Sequence, residues 1–396
     1  MAWKKINVLY VIDTLFVGGA EKHVATLCRH IDSEKFHVAV CTLFSRDLSA
    51  NEPYAVEIEK MGIHVERLGL TSWRDFETFK KYLRVINKEN CDLVHAHTVP
   101  ADFWGCLVAK TLRRCKTIVT LHGAATHLSF ALRLQRIGVN RLFSDKIIAC
   151  SSLLKSRAMR ENYGRDDKII VIPNQVDTAV FTPSNRGDTV RAEYNIPYDA
   201  IVLGSVGRFI KNKGFDTCLQ IFAKVQKKHP QSKFILCGYG EEEASYRRLI
   251  RHLGIEESVI ICARTDVEEV MAAIDVFLFV PYSSEGFGLV IIEAMSSGKP
   301  VIASNVQPIP DIVTDCVTGF LPFPERVTTY MEKVCIEPFV EKILYLIENP
   351  AARKNMGIEG RKRVEEKYST DIVMKQIERL YEAVVHQYPS ASVWQT

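Results

Sequence analysis

The sequence predicts an α/β protein built from two doubly wound domains in tandem, each with a parallel sheet covered by helices. Short β-rich runs alternate with helical patterns along most of the 396 residues. The β-rich runs are almost continuously apolar, as expected for parallel strands buried on both faces. Two such series follow one another, and the chain is long enough for two domains of ordinary size.

Twelve runs have the composition of strands. Seven fall in the first half: "INVLYVID", "FHVAVCTLF", "HVERLGL", "DLVHAH", "KTIVTLHG", "KIIACSS" and "KIIVIPN". Five fall in the second half: "IVLGSVG", "KFILCGYG", "SVIICA", "VFLFVPY" and "PVIAS". The polar stretch 176–200 carries two prolines and no clear apolar period, so we place the domain boundary there. We expect an N-terminal domain over 1–185, a C-terminal domain over 186–370, and a final helix over 371–396 that packs back on the N-terminal domain.

Composition and charge exclude several classes of protein. Hydrophobic residues make up 47% and charged residues 25%, which is typical of a globular protein. The net charge of +4 is too small to predict nucleic-acid binding. No run approaches 18 apolar residues and no secretory signal is visible, so we expect no membrane span. The eleven cysteines are scattered without a C-x-x-C pair, which favours reduced thiols in the cytoplasm.

Two glycine- or cation-bearing loops follow predicted strands, where doubly wound sheets bind ligands. Gly18 and Gly19 open the first helix, and glycines allow a ligand to approach a helix N-terminus closely. A helix start without a ligand is about as common. Arg208 and Lys213 lie in the loop after "IVLGSVG", and an arginine fork beside a lysine suits a diphosphate. Two solvated loop cations are the alternative.

The stretch "EGFGLVIIEAMSSGKPVIAS" carries the strongest signal. A Gly-Phe-Gly turn follows a strand and opens a helix from about Leu289 to Ser297, and its N–H groups favour an anion. Glu285 lies before the turn, within reach of hydroxyls beside that anion. Glu293 lies among apolar residues, where a charge is costly unless it is paired or binds polar groups. Ribose hydroxyls would satisfy it, as would a buried salt bridge. The pattern predicts a sugar nucleotide as ligand.

Histidines follow two strands of the first half. His122 ends the strand of "TLHG" and could hydrogen-bond a sugar hydroxyl or a phosphate. His95 and His97 are two apart on one face of a strand. We expect no metal site there, because no third ligand lies at a regular spacing.

These residues place the chain near a known family: it resembles the retaining family-four glycosyltransferases, enzymes of the GT-B fold that use sugar nucleotides. The resemblance spans nearly the whole chain. It rests above all on Glu285 to Glu293 with "AMSSGKPVIAS" behind it, a highly specific motif, and on "GGAEKHV", "DLVHAHT", "TLHG", "IACSS", "VIPNQVD", "GRFIKNKG" and "FILCGYGEE". It implies two Rossmann-like domains with a donor cleft between them.

The resemblance also implies roles for individual residues. Arg208 and Lys213 would hold the diphosphate, Glu293 the ribose and Glu285 the transferred sugar. His122 would lie beside the reacting centre. Further donor contacts would come from Gly18, Gly19, Gly238, Arg264, Gly286, Phe287, Gly288, Leu289 and Val290.

One departure from the family pattern is visible. "PNQVD" has Gln175 where the family usually has glycine, while Asn174 and Asp177 are in place. Activity is not put in doubt by this change.

The activity implied is transfer of a sugar from a UDP- or GDP-sugar to an acceptor hydroxyl, with retention of configuration and without a metal or cofactor. A sugar-nucleotide epimerase and a non-catalytic partner subunit of the same architecture are the alternatives. The acceptor would be a glycan or a lipid-linked sugar, and the identity of the donor sugar stays open.

Residues 111–160 hold ten lysines or arginines against one acid, Asp145, so this region is a basic patch or a solvated helix face. Docking of a cytoplasmic enzyme on an anionic membrane is one reading. Its candidate residues are Leu128, Phe130, Leu132, Leu134, Ile137, Arg133, Arg136 and Arg141.

Overall fold

A computed structural model describes residues 4–16, 18–44, 52–70, 76–113, 115–123, 130–183, 187–322 and 335–386. The chain divides into two compact units. Unit 1 comprises Met1–Asn174 and Asp371–Thr396, and unit 2 comprises Gln175–Thr370.

Unit 1 contains a seven-stranded parallel sheet. Its strands are β1 (Ile6–Ile12), β2 (Phe36–Thr42), β3 (His64–Arg67), β4 (Leu93–Ala96), β5 (Lys116–Leu121), β6 (Lys146–Ala149) and β7 (Ile169–Val171). The spatial order is β3-β2-β1-β4-β5-β6-β7. The order reverses between β1 and β4, and such a switch point opens a crevice beyond the carboxyl ends of the strands.

Among the described residues, seven helices belong to unit 1. They are α1 (Gly19–His30), α2 (Pro53–Lys60), α3 (Phe76–Lys88), α4 (Val99–Val108), α5 (Phe130–Leu142), α6 (Ser152–Arg160) and the last helix of the chain, α15 (Thr370–His386). The apolar face of α15 is buried in the unit 1 core, where Val373, Ile377 and Tyr381 are at most 1% exposed. The Tyr381 ring packs edge-on against Phe36 of β2, 5.9 Å between centroids.

Unit 2 contains a six-stranded parallel sheet. Its strands are β8 (Val202–Val206), β9 (Lys233–Cys237), β10 (Val259–Cys262), β11 (Val276–Phe279), β12 (Val301–Ala303) and β13 (Gly319–Phe320), in the order β10-β9-β8-β11-β12-β13. The switch point lies between β8 and β11. The helices are α7 (Gly187–Glu193), α8 (Phe215–Lys228), α9 (Glu243–Leu253), α10 (Val267–Ala273), α11 (Leu289–Ser296), α12 (Ile309–Ile312), α13 (Glu337–Glu348) and α14 (Pro350–Lys367).

The predicted fold class is confirmed: both units are doubly wound, and each of the twelve predicted runs contains a strand. The sequence did not indicate β13, which has two residues. The observed division falls after Asn174, eleven residues before the expected boundary. The reason is local pairing: Val176 bridges to Ser369 of unit 2, and the carbonyl of Phe181 accepts a hydrogen bond from Ser296 Oγ at 2.5 Å.

Candidate functional site

In unit 2, the loops that follow β8 and β11 carry the predicted site residues. These strands are neighbours in the sheet, with Leu203 opposite Val276. Their carboxyl ends, and the loops that leave them, are therefore close together although 72 residues separate Lys213 from Glu285. The order of the strands brings together the cationic loop and the acidic, glycine-rich loop.

Lys213 and Glu285 form an ion pair at the centre of this site. The Lys213 ammonium donates hydrogen bonds to both carboxylate oxygens of Glu285, at 3.0 and 2.9 Å. The two side chains are 23% and 14% exposed, so the pair is partly shielded from water. The residue predicted to bind the diphosphate, Lys213, is thus paired with the residue predicted to bind the sugar, Glu285. An anion that binds Lys213 would compete with the Glu285 carboxylate.

Gly214 closes the cationic loop and is the N-cap of α8. Its φ of +65° lies in the left-handed region. A Cβ at this position would lie 1.9 Å from the carbonyl oxygen of Val280, so a side chain does not fit. The close approach holds the Lys213 loop against the chain that leaves β11, and Tyr282 N donates to the carbonyl of Asn212 at 3.0 Å.

The Gly-Phe-Gly turn ends at Gly288, which precedes the first residue of α11 with a φ of +111°. Phe287 anchors the turn, because its ring is 5% exposed and packs edge-on against Tyr368 at 5.8 Å. Glu293 lies one turn into α11 and is 4% exposed. Gly286, Leu289 and Val290 are half-buried around the same helix start.

Three further predicted residues lie at strand ends of unit 2. Arg208 follows β8 and is exposed. Gly238 follows β9 with a φ of +152°, and a Cβ there would lie 1.9 Å from the carbonyl oxygen of Gly207. Arg264 follows β10, where its guanidinium forms ion pairs with Glu193, Asp266 and Glu269. The Arg264 guanidinium is therefore already paired with three carboxylates of unit 2.

In unit 1, the predicted residues Gly18, Gly19 and His122 lie beyond the carboxyl ends of β1 and β5. Gly18 caps α1 with extended backbone, and Gly19 is the first helical residue. His122 Nε2 lies 3.1 Å from Nδ1 of His97, which follows β4. His95 points elsewhere: its ring nitrogens lie 2.6 Å from the Tyr381 hydroxyl and 2.7 Å from the Thr120 hydroxyl.

Sequence reasoning missed His23. It lies in the second turn of α1, is 5% exposed, and its ring centroid is 5.1 Å from that of His122 and 5.7 Å from that of His97. Its position four residues after Gly19, on the face of α1 that must cover the sheet, was the signal available. His23, His97 and His122 form a set of three histidines close enough to hold a metal ion.

Burial shifts the acid–base behaviour of unit 1. It lowers the pKa of His97 and of His122 well below the usual 6.5, and neighbouring histidines add to the effect. Burial raises the pKa of Asp13, at the end of β1, to about 6. It raises the pKa of Asp102 on α4 to about 7, although the charge of Arg136 opposes the shift.

The predicted membrane patch is smaller than its sequence suggested. Arg136 is 6% exposed and pairs with Asp102 at 3.3 Å, so it is a core residue and the prediction that it faces lipid is wrong. Leu134 and Arg141 are exposed, and Ile137 is half-buried. Leu128 lies outside the described residues, as do the side chains of Phe130, Leu132 and Arg133. In the described part of the chain, no helix is both long and apolar enough to cross a membrane.

Two family models match the chain. The model described as Glycosyltransferase Family 4 covers residues 17–180, and the model described as Glycosyl transferases group 1 covers residues 187–363. The chain belongs to the family-four glycosyltransferases. The first match contains Gly18, Gly19 and His122, and the second contains the predicted donor residues from Arg208 to Glu293.

Individual relatives agree with this assignment. The capsular polysaccharide biosynthesis glycosyltransferase CapM of Staphylococcus aureus is 28% identical over 78% of this chain and 80% of its own length. The N-acetyl-alpha-D-glucosaminyl L-malate synthase of Bacillus anthracis is 27% identical over 78% of each chain. The predicted resemblance to the family is confirmed.

Solved structures show the same fold. The crystal structure of HepE from Anabaena in complex with UDP-glucose matches with a TM-score of 0.81 at 21% identity, over 96% of this chain and 100% of that one. Sucrose-phosphate synthase from Thermosynechococcus elongatus matches with a TM-score of 0.76 at 21% identity, over 96% and 100%. The predicted GT-B fold, with two Rossmann-like units, is confirmed.

Proposed function

We propose that this glycosyltransferase moves a sugar from a nucleoside-diphosphate sugar to an acceptor hydroxyl, with retention of anomeric configuration. One observation carries the proposal: Lys213, in the loop after β8, lies within 3 Å of Glu285, in the loop that leads from β11 into α11. A cation, a carboxylate and a helix N-terminus in one place suit a ligand that is both anionic and rich in hydroxyls.

The charge that develops in the reaction determines the roles of the cationic residues. As the bond from the anomeric carbon to the diphosphate oxygen breaks, negative charge accumulates on the leaving diphosphate. Arg208, Lys213 and the N-terminus of α11 stabilise that charge, and they do so without a divalent ion. The exposed Arg208 is available to the ligand, whereas Lys213 must exchange Glu285 for the diphosphate.

The carboxylates hold hydroxyl groups. Glu293, which is 4% exposed one turn into α11, accepts hydrogen bonds from the ribose. Glu285, released by Lys213, accepts hydrogen bonds from the transferred sugar. The backbone N–H groups from Phe287 to Val290 contact the sugar and the phosphate.

Retention follows if the acceptor attacks from the face that the diphosphate leaves. The acceptor oxygen forms a bond to the anomeric carbon, the bond to the diphosphate oxygen breaks, and the acceptor proton passes to the leaving phosphate. Neither glutamate is then a nucleophile, so the carboxylate pair of glycoside hydrolases has no counterpart here.

We further propose a donor with uridine or guanosine as nucleoside and a role in the assembly of a glycan, a glycolipid or a polysaccharide. The HepE structure is a complex with UDP-glucose. CapM is a glycosyltransferase of capsular polysaccharide biosynthesis. These two similar proteins support a nucleotide-sugar donor and a saccharide acceptor. Docking on an anionic membrane stays a prediction that now rests on Leu134 and Arg141 rather than on Arg136.

A donor panel tests the proposal. We expect UDP or GDP to bind in the presence of EDTA and one UDP- or GDP-sugar to be consumed when an acceptor is added. NMR of the product should show the anomeric configuration of the donor. Nucleotide binding that disappears with the chelator would contradict metal-independent binding, and an inverted product would contradict retention.

The same panel separates the alternatives. A sugar-nucleotide epimerase would change the donor without any acceptor and would leave the diphosphate attached. A non-catalytic partner subunit would neither hydrolyse nor transfer the sugar with any donor. The family match favours the transferase over both.

A further inference from the structure

Three imidazoles of unit 1 lie together at the point where the sheet order reverses. His23 comes from the second turn of α1, His97 directly follows β4, and His122 directly follows β5. His23 is 5% exposed and His97 is 1% exposed. Of the three, the family resemblance implies a place beside the reacting centre for His122 alone, and the proposed function assigns no role to His23 or His97.

The spacing of the rings is that of a metal site. One ring nitrogen of each histidine lies within 4.8 Å of the others, and His97 Nδ1 is 3.1 Å from His122 Nε2. Three imidazoles on one tetrahedral zinc, with Zn–N bonds of about 2.0–2.1 Å, have nitrogens about 3.3 Å apart and ring centroids about 5 Å apart. The observed centroid separations are 5.1, 5.4 and 5.7 Å.

The surroundings of the rings point to a ligand as well. Nε2 of His97 and Nδ1 of His122 are buried, and neither has a hydrogen-bond partner among the described residues. They are the second nitrogens of the two rings, because an ion between the rings would bind the nitrogens that face each other, His97 Nδ1 and His122 Nε2. A purely imidazole set suits zinc and other late first-row transition metals rather than magnesium or calcium, which prefer oxygen ligands.

We propose that His23, His97 and His122 bind one divalent transition-metal ion of the zinc class, with a fourth coordination position left open. The site consists of unit 1 residues only and shares no residue with the unit 2 loops that we propose to bind the donor. Metal bound to His122 would also occupy the imidazole that, by the family resemblance, would lie beside the reacting centre. This inhibitory consequence, unlike the binding itself, rests on the proposed function.

Cobalt spectroscopy tests the binding without an activity assay. The full chain, stripped with EDTA, is titrated with Co²⁺ and then with Zn²⁺. We expect one ion per chain, visible d–d bands of four- or five-coordinate cobalt, and their loss when zinc is added. His23→Gln and His97→Gln should each weaken binding at least about tenfold, since removal of a ligand removes a metal bond. The exposed His252→Gln serves as the matched control and should bind as the wild type does.

Two results would overturn the proposal. Equal cobalt affinity in His23→Gln, His97→Gln and wild type would mean adventitious binding at the surface. X-ray absorption of the zinc-loaded wild type that shows sulfur ligands, or no imidazole scattering, would exclude this site without any variant. Circular dichroism and thermal unfolding of each variant show whether unit 1, which contains the substitutions, is still folded.

Transfer assays then distinguish the two proposals. Zinc that binds by these criteria and inhibits transfer supports both the site and the role of His122. Zinc that binds and leaves transfer unchanged confirms the site and contradicts a role for the His122 imidazole in the reaction.

Discussion

Replacement of Glu285 by glutamine separates nucleotide binding from sugar transfer. In the structure, both oxygens of Glu285 accept hydrogen bonds from Lys213 at 3.0 and 2.9 Å. The proposed diphosphate must therefore displace a carboxylate before it reaches the ammonium. Glutamine is nearly isosteric but neutral, so the variant removes this competitor and leaves the loop geometry in place.

The size of the effect follows from the exposure of the pair. Side chains that are 23% and 14% exposed form an ion pair that is neither fully solvated nor fully buried. Such a pair contributes on the order of 1 kcal/mol, the upper end for exposed pairs, or about fivefold in an equilibrium constant. We expect Glu285→Gln to bind UDP or GDP equally or up to about fivefold more tightly. Sugar transfer should fall sharply, because the variant loses a charged acceptor for the sugar hydroxyls.

Isothermal titration with the nucleoside diphosphate and steady-state transfer kinetics measure the two effects. Lys213→Met is the complementary variant, and we expect it to weaken the nucleotide about tenfold or more through loss of a charge-assisted hydrogen bond. A tenfold loss of nucleotide affinity in Glu285→Gln would refute the competition, because it would show that the carboxylate positions Lys213 for the diphosphate.

Three further predictions concern unit 2. Glu293→Gln should weaken UDP or GDP about tenfold or more through lost ribose contacts, in contrast to Glu285→Gln; equal affinities for the two variants would contradict the division of roles. Gly214→Ala should destabilise unit 2 by about 3 kcal/mol in urea unfolding, whereas Gly254→Ala, with a similar φ of +65° but open space, should cost about 1 kcal/mol. Burial lowers the pKa of Lys299 from 10.5 to about 8, so wild-type stability should rise between these pH values. The difference in free energy of unfolding by which the wild type falls below Lys299→Met should shrink by about 3 kcal/mol over that pH range. A difference that does not change with pH would rule out the lowered pKa of Lys299.

The strands could be predicted because each is a short apolar run with few polar interruptions. Parallel strands buried on both faces leave this signature, and the helices between them carry their own period. The turn at Gly288 was equally readable, since Gly-Phe-Gly between a strand-like run and an apolar helix indicates a helix start. β13 was not readable, because two residues carry no period.

Pairings across the chain could not be read from the sequence. Lys213 and Glu285 are 72 residues apart, and only the adjacency of β8 and β11 brings them together. His23 was missed for the same reason, because its partners end strands that follow much later. Arg136 was misread because its partner, Asp102, belongs to another helix, and an arginine on an amphipathic helix normally faces solvent.

The placement of α15 has a consequence for the order of events during synthesis. Tyr381 and Ile377 complete the core of unit 1, yet nearly 200 residues of unit 2 leave the ribosome between β7 and that helix. Chain synthesis proceeds at about 5–20 residues per second, so α15, which covers part of β1 and β2, is synthesised about 10–40 s after the sheet of unit 1. Unit 2 is contiguous in sequence and can fold in the meantime, so the second unit of the chain is the first that can be finished.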